Sequence, residues 1–184
     1  MASLERTAYP QFLSYYSPSD LRQFFTLQDE EINWLKSAGR SAGTRLGLAV
    51  LLKVFQHLRY FPSLDKIPSE VITHVRNGLG FGDAIRIEYP VERTLFRHKA
   101  MVLGLLNVKP FHGHDAMRQA ERFACDAAEL MDQRADIING IIEGVLQARY
   151  ELPAFSTLDD LAEKAHAAVQ NRVFSLNRFN LLSF

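Results

Sequence analysis

The residues in this sequence whose type and spacing suit a definite chemistry are its cations, and that chemistry is the holding of an anion. Two long stretches contain neither Asp nor Glu. The first, Ile32 to Leu64, carries Lys36, Arg40, Arg45, Lys53 and Arg59 with His57. The second, Arg93 to His114, carries Arg93, Arg97, Lys99 and Lys109 with His98, His112 and His114. Ordinary surfaces mix their signs, so acid-free stretches are candidate phosphate-facing surfaces. Chance clustering on a solvated face is the competing reading of each stretch.

Other chemistries have less behind them. His112-x-His114-Asp115 has no third ligand at a suitable spacing. Gly78-x-Gly80-x-Gly82 lacks the preceding strand and following lysine of a phosphate-binding loop and reads as a linker. Carboxylates between Asp115 and Glu163 sit at helical surface spacing, and no pair stands out as acid and base. Cys125 reads as a small core residue, and Met101, Met117 and Met131 as core filler. No catalytic residue, metal ligand or cofactor site is therefore expected.

Helices must position these cations, because strand signals are nearly absent. Ser17-Pro18-Ser19-Asp20 opens a short helix to Phe25, and Thr26 caps a second, Gln28 to Ala38, which Gly39 stops. A long helix is expected from about Thr44 to Phe61, ended by Pro62, and another from Pro68 to the glycine cluster. Beyond Gly82 the pattern gives a short helix near Asp83 to Glu88, then helices at Val91 to Leu106, His114 to Asp132, Ala135 to Arg149 and Thr157 to about Ser175. The tail from Asn177 has no clear period. This is an all-α pattern, divided near Gly82 into 1–82 and 83–184.

On the long helix, Arg45, Lys53, Gln56, Arg59 and Tyr60 fall within about 120° of arc, a polar stripe on an otherwise apolar cylinder. That stripe suits an anion, or else it is the solvated strip of a core helix. On the Val91 helix, Arg93, Thr94, Arg97 and His98 span about 140°, opposite Leu95, Phe96, Val102 and Leu103. Two planar donors, a hydroxyl and an imidazole near a helix N-terminus suit phosphate and base-edge contacts. Lys99 breaks the pattern by falling among the apolar positions, so either its stem snorkels past the core or the helix has a different phase.

Composition sets the class. With 184 residues, 47% apolar and 23% charged, the chain fits one ordinary soluble domain or two small ones. The apolar run Leu46 to Leu52 is cut by Lys53, well short of a membrane span. No export signal is evident in Met1 to Gln11, and one cysteine cannot form an internal disulfide, so the cytoplasm is the expected compartment. Net charge is zero but segregated: 14 basic against 10 acidic residues up to Pro110, then 7 against 11.

The string Arg45-Leu46-Gly47-Leu48-Ala49-Val50-Leu51-Leu52, then Leu58-Arg59-Tyr60-Phe61-Pro62 and Ile67-Pro68, resembles the N-terminal region of the large replicative transposases of the Tn-three family. Tyr89 with Arg93-Thr94 and Arg97-His98 is similar to that family's second segment, and Leu146 to Pro153 with Ser156-Thr157-Leu158 to a third. The likeness covers about Leu13 to Phe174. Asn77-Gly78-Leu79 and Phe111-His112-Gly113-His114 depart from the family pattern.

The resemblance implies two helix-turn-helix-like subdomains that recognise the terminal inverted repeats of a transposon. It also implies a fragment or truncated relative, without the metal-binding catalytic domain that family members carry further along the chain. Double-stranded DNA and the rest of a transposase chain are then the expected partners, with self-association possible and no membrane. Lys36, Arg40, Arg45, Lys53, Arg59, Arg93, Thr94, Arg97 and His98 are the expected DNA contacts. A helical protein-interaction module, its cationic stripes docked on an acidic partner or a second copy, is the alternative.

Overall fold

The structure, a computed structural model, describes residues 4–38 and 41–181, with side chains through residue 172. Among the described residues it is all-α. The helices are α1 (Pro18–Phe25), α2 (Asp29–Ala38), α3 (Ala42–Leu58), α4 (Ser69–Gly78), α5 (Glu92–Leu105), α6 (Gly113–Leu130), α7 (Arg134–Gln147) and α8 (Phe155–Leu181). None is long and apolar enough to cross a membrane.

The chain forms two compact units, residues 10–108 and residues 1–9 with 109–184. The division expected at Gly82 thus moves to Val108–Lys109. The reason is packing: α5 lies against α3, and Val102 and Leu103 belong to the same core as Leu46 to Leu58. The glycine cluster is a loop inside the first unit, and no helix forms at Asp83 to Glu88.

In the first unit α3 is the central post. Twelve of its seventeen residues are buried, Leu46 to Phe55 without interruption. A capping box starts it, with the Ser41 hydroxyl accepting from the Thr44 N–H and the Thr44 hydroxyl accepting from the Ser41 N–H. It ends three residues earlier than Phe61. Arg59 takes a left-handed conformation at φ 65°, and its N–H closes on the Phe55 carbonyl at 2.8 Å. The stop expected at Gly39 lies outside the described residues.

One face of α3 is cut back to glycine at Gly43 and Gly47, one turn apart. A Cβ at Gly43 would stand 2.8 Å from the Arg86 carbonyl oxygen, and one at Gly47 would stand 2.7 Å from the Tyr89 ring. The segment 86–89 therefore lies directly against this helix before the chain turns into α5. Thr26 does not cap α2; its hydroxyl pairs with His74 Nε2 at 3.1 Å, while the Gln28 N–H donates to Glu31.

The second unit is a three-helix bundle of α6, α7 and α8. Its packing is small against branched: Ala116, Ala120, Ala124, Ala127 and Ala128 of α6 bury beside Ile137, Ile138, Ile141 and Ile142 of α7. Gly144 accepts the Phe123 ring, which would stand 2.5 Å from an added Cβ. Arg134 ties α7 to α8, its Nε 2.7 Å from Asp159 and its Nη2 2.9 Å from Glu163. The N-terminal segment returns here, where the Tyr9 hydroxyl donates to the Pro153 carbonyl at 3.0 Å. The helix of this bundle expected to stop near Ser175 runs instead to Leu181. Cys125, Met117 and Met131 are exposed and not core.

Gly144→Ala should lower stability by about 1–3 kcal/mol, since overpacking against Phe123 outweighs a helix-propensity gain of up to about 1 kcal/mol. Gly104→Ala on α5, with nothing within 4 Å of the new Cβ, should keep the propensity gain and raise stability. Denaturant titrations of both variants check the pair; equal effects would contradict it.

Candidate nucleic-acid interface

Nine cations and polar groups were expected at the surface, and the structure sorts them by burial. Lys36 is exposed in the last turn of α2, Arg45 is half-buried near the start of α3, and Arg59 is exposed at its end. Fourteen residues separate Arg45 from Arg59, roughly 20 Å of helix, so the two do not make one patch. Arg40 lies outside the described residues.

Lys53 is corrected. It is only 6% exposed, and its Nζ sits 3.3 Å from a Glu31 oxygen, whose partner oxygen accepts from Gln56 Nε2 at 2.7 Å. A cation inside an apolar helix is costly unless paired. The middle of the α3 stripe, Lys53 and Gln56, is therefore spent on α2, and Lys53 is not a phosphate contact.

His98 is corrected as well. It is 1% exposed, and its Nδ1 lies 2.9 Å from the Tyr89 hydroxyl. Burial, with Arg97 beside it, lowers the His98 pKa, and burial pushes the Tyr89 hydroxyl upward. The pair is a neutral structural hydrogen bond between the 86–89 segment and α5. Burying His98 turns the exposed face of α5 by about one residue, roughly 100°, from the expected arc.

The face that results comprises Arg93, Phe96, Arg97, Ala100 and Gly104, with Glu92 at one edge; Thr94 is half-buried on the flank. Among the described residues neither Arg93 nor Arg97 has a carboxylate partner. Phe96, expected on the apolar side, is 59% exposed between them. Lys99 is half-buried with its Nζ 5.5 Å over the Phe61 ring, which accounts for a lysine at an apolar position. Arg86, exposed in the segment before α5, was missed; only its nearness in sequence to Tyr89 could have suggested it.

Arg76 of α4 fixes the loop that leads to this face. It is 8% exposed, donating to the Ile85 carbonyl at 3.3 Å and to the Thr73 hydroxyl at 3.0 Å, with Asp83 at 3.9 Å. Among the described residues no group of three or more His, Cys, Asp or Glu could hold a metal ion. What this geometry offers is two planar cations and an aromatic ring on one rigid helix.

Glu31→Ala should cost about 3–5 kcal/mol by leaving Lys53 charged and unpaired, whereas Lys53→Met should cost under about 1 kcal/mol. Chemical denaturation of the two variants tests the asymmetry, and equal losses would contradict it. His57, His74 and His98 all have pKa values lowered from 6.5 by burial. The unfolded chain thus takes up protons before the folded one as pH falls. The stability from these neutral rings is whole above about pH 6.5 and declines below it, so thermal melts should move down in acid; a melting temperature flat or rising through that window would contradict this.

A comparison with curated proteins finds no match. Residues 1–165 match the family model described as "Domain of unknown function (DUF4158)". That match spans both units and the α5 face, and the chain belongs to the DUF4158 family.

Proposed function

We propose that the chain binds double-stranded DNA sequence-specifically at the terminal inverted repeats of a transposon, as the end-recognition part of a transposase acting in the cytoplasm. The observation that carries this reading is the face of α5, where Arg93 and Arg97 stand exposed on a helix whose other side is locked into the core. Paired cations with no carboxylate partner on a rigid helix suit the acceptor-rich edges of a duplex. The resemblance to the N-terminal region of the Tn-three transposases, carried by strings on α3, at Tyr89 and on α5, supports the same assignment. Lys36, Arg45 and Arg59 serve as phosphate contacts, and strand-transfer chemistry belongs to another part of a transposase.

A second reading, a protein-interaction module, has one observation in its favour. Leu130 is 84% exposed beside Met131 at the end of α6, among Asp126, Glu129 and Asp132. Salt-dependent self-association without DNA binding would favour it.

Fluorescence anisotropy with a labelled inverted-repeat duplex and a scrambled one, titrated at several salt concentrations, tests the proposal. Preference for the repeat by about 10³-fold with a steep salt slope is the expected result. Arg97→Ala should cost about 1–3 kcal/mol and relax sequence preference, while Lys36→Ala should lower the salt slope by about one without changing preference. Lys53→Met should alter neither. Equal, weak binding to both duplexes would overturn the proposal.

A further inference from the structure

The strongest feature left over is Phe96. A large apolar side chain 59% exposed beside two arginines lies on a helix whose Leu95, Met101, Val102 and Leu103 are buried in the core or packed against it, Leu105 at its far end being the other exposed large apolar side chain. Core packing does not explain it, and water disfavours it. Burying one ring matters energetically, and a surface with hydrogen-bond acceptors for the arginines and an apolar group beside them would suit this trio.

We propose that α5 is the helix that enters the DNA major groove, and that Phe96 packs on a thymine 5-methyl group while Arg93 and Arg97 take the guanine edges on either side. This rests on the DNA-binding reading above. Along a helix axis Arg93 and Arg97 are about 6 Å apart, close to two base-pair steps of B-DNA, with Phe96 between them. The major groove presents both required partners: guanine O6 and N7 accept from arginine, and the thymine methyl is the one apolar group on a base edge there. Ala100 and Gly104 continue the same face with almost no side chain, which lets the helix approach the groove floor. Glu92 stands at the edge nearest Phe96, where a carboxylate suits a cytosine amino group or water and repels a phosphate. α3 cannot lie in the groove along its length, since Leu46 to Phe55 are all buried.

The test uses the whole 184-residue chain and a duplex library with a randomised core. The enriched motif is synthesised with each thymine replaced in turn by uracil, which lacks only the methyl. Wild-type affinity should fall about fourfold at one thymine, the worth of one buried methyl. Phe96→Ala, whose melting curve should match wild type because the ring is exposed, should bind the thymine and uracil duplexes equally. Phe96→Leu should retain part of the difference. An enriched motif at which wild type and Phe96→Ala respond alike to every uracil would overturn the inference and leave the DNA-binding reading standing. A library that yields no motif would overturn both.

Discussion

One ion pair decides how the first unit is built. α3 is apolar on nearly every side, and it supplies half of the buried apolar residues of that core. It nevertheless carries Lys53, and a buried ammonium must be neutralised or given a partner. Glu31 supplies the partner across from α2, and Gln56 completes the carboxylate's hydrogen bonding. α2 is thereby held to α3 at a fixed register. The same contact takes the middle of the α3 polar stripe, Lys53 with Gln56, and leaves Arg45 and Arg59 far apart at its ends. A continuous cationic face in this unit must come from elsewhere.

It comes from α5, whose placement follows from three further constraints. Gly43 and Gly47 leave a shallow track along α3 that only a glycine pair permits, and the 86–89 segment fills it. Tyr89 then reaches His98, so the first turns of α5 are anchored through a buried hydrogen bond. Arg76 holds the loop upstream by the Ile85 carbonyl and leaves its own Nε without a hydrogen-bond partner. With these three anchors set, Arg93, Phe96 and Arg97 face outward on a helix that has no freedom to roll.

The all-α architecture was legible from capping signals and periodicity. Ser17 to Asp20 and the glycine and proline breaks placed most helix ends within a few residues. Two kinds of information were not. A boundary at Gly78 to Gly82 looks the same in sequence whether it separates domains or is a pinned loop; the difference lies in Arg76 and in α5 packing back on α3, both long-range. Burial of single polar residues was equally hidden. Lys53 and His98 read as surface groups until Glu31, twenty-two residues away, and Tyr89, nine away, are brought beside them. Once His98 turns inward, the helix phase shifts and Phe96 must turn out. Arg93 and Arg97 stay exposed in either phase, because they lie where the two arcs overlap.

The central claim is that α5, and not α3, is the working surface of the first unit. A two-dimensional NMR titration of the isotope-labelled chain with duplex DNA reads this directly. The account predicts that the guanidinium signals of Arg93 and Arg97 and the ring signals of Phe96 move on binding, while the amides of Leu46 to Phe55 stay within small secondary shifts. Large perturbations centred on α3 or on the Lys53 side chain, with α5 unmoved, would contradict it.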